Sequence, residues 1–95
     1  MNEIWTCLTG NRKIVARLVS VVTAYELRQY AARKFGVDPG VVELRPENTE
    51  GAAEPTVELR WEGDDYNYGG GSKDSRRLQE RVVGYGSIRG DWVDA

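Results

Sequence analysis

A chain with no histidine lacks the side chain that most often serves as a general base near neutral pH, and a common metal ligand with it. The single cysteine, Cys7, falls in a strand-like stretch with no imidazole to activate it. It reads as a buried structural thiol, because a nucleophile needs a stabilised thiolate. Glu62, Asp64 and Asp65 could gather a hard cation, but the run lacks the ligand spacing of a calcium loop and reads as solvated loop charge. Gly69-Gly70-Gly71-Ser72-Lys73 departs from the phosphate-cradling pattern, which requires a fixed spacer between its first glycine and Gly-Lys-Ser/Thr. The stretch from Gly84 to Gly90 does not follow a strand and open a helix, as a dinucleotide site requires. No catalytic residue, metal site or cofactor is expected.

Recognition chemistry is better represented. The letters VELR occur at 42–45 and again at 57–60. Paired antiparallel around the polar loop near Gly51, these segments would set Glu43 against Arg60 and Arg45 against Glu58, with Leu44 facing Leu59 and Val42 facing Trp61. Such opposite-charge pairs contribute roughly 0.2–1 kcal/mol each, so they matter chiefly for register. Trp5 and Leu8 in the first strand and Arg17 in the second complete a candidate protein-binding surface. Either face of the first strand could point inward; if Ile4, Thr6 and Leu8 do, Trp5 projects beside Arg17 with the composition of an interface hot spot. A second candidate surface is basic. On a helix over about 72–83, Lys73, Arg77 and Arg81 form one stripe with Arg76 nearby, flanked in sequence by Tyr66, Tyr68 and Tyr85. That composition suits a nucleic-acid backbone and unpaired bases. The competing reading is a solvated helix whose arginines pair with Asp74 and Glu80, and the net charge of −2 favours it.

The element that must position these groups runs from Thr23 to Leu44. Thr23 and Glu26 form a capping box, with Val22 and Leu27 at the staple positions. Ala24, Leu27 and Ala31 give a helix over about 23–35 its apolar stripe, with Tyr30 and Phe35 at the margins. Gly36 supplies a left-handed terminus and Pro39 prevents resumption. Upstream, residues 3–9 and 13–19 read as strands joined by a turn at Gly10 and Asn11. Ile14, Ala16 and Leu18 share a purely apolar face, which belongs against the helix. A closing strand is expected near Ser87–Arg89 or around Trp92.

Ninety-five residues suffice for one domain, residues 1–95, with one small core. The near-balanced charge names no partner by itself: a generic nucleic-acid binder would usually be basic and a DNA mimic far more acidic. One cysteine favours a reducing compartment. No apolar run reaches the roughly 18 residues of a membrane span, and the opening residues lack the pattern of a secretory signal, so a cytoplasmic protein with no membrane contact is expected.

Hairpin, helix, hairpin is the order of a β-grasp domain, and the first 45 or so residues resemble ubiquitin in pattern. The likeness lies in the initial Met, the Leu8-Thr9-Gly10 turn, the capping Thr23, Leu27-Arg28, Lys34, Gly36, Val37, Pro39 and Leu44. The resemblance implies an α+β, ubiquitin-like β-grasp fold: a mixed four- to five-stranded sheet on one main helix, with a short second helix. The chain ends in Asp-Trp-Val-Asp-Ala rather than the free Gly-Gly of the conjugated relatives, so a modifier or sulfur carrier is the least favoured reading. Arg45 stands where the family's receptor patch has an apolar residue, which disfavours ordinary ubiquitin receptors. The expectation is a non-enzymatic protein-interaction module, an adaptor, assembly factor or inhibitor of a larger machine such as a phage would encode. It would use Trp5, Leu8, Arg17, Glu43, Arg45, Glu58 and Arg60 against a protein partner. The alternative is a nucleic-acid contact through Lys73, Arg76, Arg77 and Arg81.

Overall fold

A computed structural model describes residues 3–47, 54–63, 76–84, 86 and 88–95. The first strands, β1 (Glu3–Thr9) and β2 (Arg12–Leu18), pair antiparallel from Glu3↔Leu18 to Thr9↔Arg12. Gly10 opens their tight turn at φ 57°, a left-handed conformation that costs glycine little and suits a two-residue hairpin.

After β2 the chain enters helix α1 (Ala24–Phe35). Both halves of the capping box form: the Glu26 N–H donates to Thr23 Oγ1 at 3.1 Å, and the Thr23 N–H donates to Glu26 Oε1 at 2.9 Å. Val22 and Leu27 are buried on either side of the cap. Gly36 ends the helix at φ 72°, where its N–H and that of Val37 both donate to the Ala32 carbonyl. The hairpin also reaches this end: Arg12 Nη1 donates to the Phe35 carbonyl at 2.7 Å, and its guanidinium lies 5.0 Å from the centre of the Phe35 ring. A cation at the negative end of the helix dipole thus couples hairpin to helix. The buried face is Leu27, Tyr30, Ala31, Ala32 and Phe35. Ala24, expected in the stripe, is exposed, and Tyr30 is among the most deeply buried side chains of the core.

A short 3-10 turn at Pro39–Val41 leads into β3 (Glu43–Glu47), and β4 (Val57–Glu62), β5 (Arg77–Val82) and β6 (Val93–Asp94) follow. The result is α+β: one mixed six-stranded sheet in the order β3-β1-β2-β4-β5-β6, packed on one helix. The six strands exceed the expected four to five. The expected pairing of 42–45 with 57–60 does not occur. β3 joins β1 antiparallel, with Glu43 opposite Leu8 and Arg45 opposite Thr6. β4 instead runs parallel to β2, Leu18 beside Leu59, and pairs antiparallel with β5. Apolar burial explains the outcome: Leu44 meets the fully buried Cys7, and Leu59 sits between Leu18 and the helix-facing side of β5.

The expected second helix is also corrected. Residues 77–82 are strand β5, and 72–75 lie outside the described residues. Its alternation sets Arg77, Gln79 and Arg81 on one face and Leu78, Glu80 and Val82 on the other. Glu80 belongs to the helix side: Tyr30 Oη donates to it at 2.6 Å, and Lys34 forms an ion pair with its other oxygen. Beyond β5 the chain doubles back, bridging Val83 to Arg89, and the Ala95 N–H closes on the Leu78 carbonyl. Of the two places expected for a closing strand, β6 takes the one next to Trp92, and Arg89 makes only an isolated bridge.

Cys7, Ala16, Leu18, Leu27, Ala31, Phe35 and Leu59 form the core on the helix side, and Trp5, Ile14, Leu44, Val57 and Leu78 pack around it. Burial pushes the Cys7 thiol up to about 11, so it stays protonated and inert near neutral pH. Two substitutions separate local from global stability. Thr23→Ala removes one helix cap and should cost about 1 kcal/mol in chemical denaturation. Leu59→Ala opens a cavity at the centre of the core and should cost about 2–5 kcal/mol.

Candidate protein-interaction surface

The sheet face turned away from α1 carries the polar chemistry, and Glu58 lies at its centre. Glu58 is only 1% exposed although it is ionisable. Its neighbours across the sheet are Arg17 on β2 and Arg81 on β5. Arg81 Nε donates to its Oε1 at 2.6 Å, and Arg17 Nη1 donates to its Oε2 at 3.3 Å. Arg89, arriving from the returning segment, donates to both oxygens at 3.3 Å. Burial alone would raise the Glu58 pKa, but hydrogen bonds from Arg81 and Arg89, together with their charges, outweigh it and hold the carboxyl below its usual value.

Next to this cluster stands Trp92. The Arg60 guanidinium lies 4.2 Å from its ring centre and that of Arg81 4.5 Å. Arg60 is fixed further by two hydrogen bonds to Gln79 Oε1, from Nε at 3.0 Å and Nη2 at 2.9 Å. Planar guanidiniums suit this stacking because they are weakly hydrated and lose little freedom once aligned. Two cations against one indole ring, each anchored by its own hydrogen bonds, make a rigid and half-exposed patch.

The far side of the same face is built on β1 and β3. Thr6 is buried and donates to Glu47 at 2.7 Å. Leu8 lies between Glu43 and Lys13, and Arg45 forms an exposed ion pair with Glu43 at 3.1 Å. The face therefore has an arginine-rich half on β2, β4 and β5 and a mixed half on β1 and β3.

Leu8, Arg17, Glu43, Arg45, Glu58 and Arg60 are thus brought to one face, though through different partners than the sequence pairing suggested. Trp5 is the exception. Its register partner is Ala16, so it packs at the margin of the core on the helix side rather than beside Arg17. Of the basic set, Arg77 and Arg81 share the arginine-rich half, whereas Arg76 lies over Trp61 at 4.9 Å, and Trp61 pairs with the inward Leu78. They are not one helical stripe. Lys73, Tyr66, Tyr68 and Tyr85 lie outside the described residues, as do Asp64, Asp65 and the triple glycine. Trp92 and Arg89 are the functional candidates that sequence reasoning missed. An isolated Trp in a Gly- and Asp-containing tail carries no periodicity, so its signal was composition alone.

Among the described residues no group of three or more His, Cys, Asp or Glu side chains converges as a metal site, and no helix is long and apolar enough to cross a membrane.

Because Glu58 has a lowered folded-state pKa, the stability it contributes is present above its ordinary value of 4.5 and is lost as the pH falls through the folded value. Glu58→Gln should therefore lower stability at neutral pH, by removing the carboxylate that Arg17, Arg81 and Arg89 share. It should also flatten the acid limb of the stability profile, read by denaturant titration between neutral and acid pH. No protein-family model, curated protein or solved structure matches this chain.

Proposed function

We propose that this chain is a non-enzymatic protein-interaction module, an adaptor, assembly factor or inhibitor of a larger machine, that docks through the sheet face opposite α1. One observation carries the reading: the face holds a preorganised Arg60–Trp92–Arg81 stack beside a carboxylate already satisfied by Arg17, Arg81 and Arg89. Arginine and tryptophan dominate interface hot spots because they bury large, rigid, amphipathic surface. Here their ordering cost is met before a partner arrives, which favours binding. Leu8, Glu43 and Arg45 would form the outer part of the same footprint, and Glu58 would organise it from within. Trp5 has no part in it.

The ubiquitin-like β-grasp reading of residues 1–45 belongs to this proposal. The tight N-terminal hairpin and the doubly capped helix support it, and the strand order after the helix departs from a second hairpin. The edge strand β3 is poorly suited to strand addition, since Pro46 lacks a donor and Glu43 and Arg45 are exposed charges. Docking by side chains on the face fits better than docking by backbone at this edge.

Quantitative capture from lysate tests the reading. Arg60→Ala and Trp92→Ala should each weaken retention of a discrete partner by about 2 kcal/mol, the scale of a hot spot. Arg28→Ala on the exposed side of the helix should leave it unchanged. Retention that survives both face substitutions but fails with Arg28→Ala would move the interface to the helix.

A further inference from the structure

We infer that the arginine-rich half of this face takes a short acidic protein segment, two or more of whose carboxylates bridge Arg60, Arg77 and Arg81. The inference rests on the protein-interaction reading above and specifies the partner's chemistry.

Charge complementarity is the first ground. On β2, β4 and β5 the face presents Arg17, Arg60, Arg77 and Arg81, joined by Arg89, against Glu58, Glu62 and Asp94. Glu58 is buried, so a docking partner meets mostly guanidinium. This lies on a chain whose net charge is −2, so the sign is local to the patch. The exposed anions are held loosely: Glu62 lies 3.6 Å from Arg60 and Asp94 3.5 Å from Arg77, both on the surface. Surface pairs of this kind contribute little, so an incoming carboxylate can replace them at small cost.

Geometry is the second ground. Arg60 is opposite Gln79, which places Arg77 and Arg81 on its two diagonals. Diagonal neighbours across a strand pair stand about 7–8 Å apart. Alternate side chains of an extended peptide are about 7 Å apart. Carboxylates at every second position of such a segment would therefore match successive arginines, which have further guanidinium N–H groups beyond those already given to Gln79 and Glu58. Trp92, stacked against the guanidiniums of Arg60 and Arg81, holds both arginines in place for the segment.

The patch is also bounded. On β3, at the far end of the same face, Glu43 and Glu47 flank Arg45, so a long polyanion crossing the face would leave the guanidinium-rich half and meet carboxylates. A nucleic-acid strand is disfavoured for that reason, whereas a short acidic stretch fits within the arginine-rich half.

The test is a titration of the full chain followed by NMR of the arginine side-chain N–H groups, using a decaglutamate peptide and, separately, a ten-residue oligothymidylate. Decaglutamate should shift the signals of Arg60, Arg77 and Arg81 and bind about tenfold more weakly to Arg77→Glu, with further loss at high salt. Arg77 is an exposed surface residue, so this variant should stay folded; Arg60→Gln should weaken binding in the same direction. Absent shifts, shifts confined to α1, or tighter binding of the oligothymidylate would overturn the acidic-segment assignment. The two levels separate cleanly. If a captured partner depends on Arg60 and Trp92 but decaglutamate neither binds nor competes, only the partner chemistry is wrong. If neither substitution affects capture, the docking face itself is wrong.

Discussion

A carboxylate buried in the middle of a sheet face constrains every strand around it. Glu58 cannot remain ionised at 1% exposure unless cations come to it, and they come from three places: β2, β5 and the segment after β5. The net energy of such a cluster is small, because desolvation offsets most of the attraction. Its effect on specificity is larger, since a shifted register would strand the charge at a cost of several kcal/mol. Apolar burial places β4 between β2 and β5, and Glu58 holds its register there, with Arg17 on one side and Arg81 on the other. The same three arginines then become part of the surface, which links the fold directly to recognition.

The helix side follows the opposite logic, with one polar exception. Leu18, Leu27, Leu59 and their neighbours exclude water, while Glu80 sits among them held by Tyr30 and Lys34. Burial, then the hydrogen bond to Glu80, raises the Tyr30 pKa well above its ordinary value, so the phenol remains a donor throughout the neutral range. β5 thus contributes a carboxylate inward, where Tyr30 and Lys34 of α1 meet it, and two arginines outward.

Local signals in the sequence were read correctly where they are self-contained. The Thr23–Glu26 capping box, the Gly36 terminus, the Gly10-Asn11 turn and the apolar Ile14, Ala16, Leu18 face each depend on a few neighbouring residues. Long-range pairing was not legible. The two VELR segments offer each other matching charges, yet any correctly placed arginine serves Glu58 equally well, and burial of Leu44 on Cys7 and Leu59 on Leu18 decided their partners. β5 was misread because Glu80 looks like a solvent-facing charge. With Glu80 inward, the stretch alternates as a strand; with Glu80 outward, it mimics a helix with basic residues four apart. Of the surface, most arginines and glutamates were legible as binding chemistry, whereas the side to which Trp5 turns and the place of Trp92 were not. The strand's inward face was undetermined in one case and the tail's return in the other.

Both the sheet register and the docking face depend on an ionised, arginine-held Glu58. The most direct measurement is a carbon-13 NMR titration of its side-chain carboxyl in the intact protein. The expected midpoint lies below the ordinary value of 4.5, with the Nε–H signals of Arg81 and Arg89 moving at the same pH. A midpoint at or above 4.5, or arginine signals indifferent to its protonation, would contradict the arrangement from which the face is built.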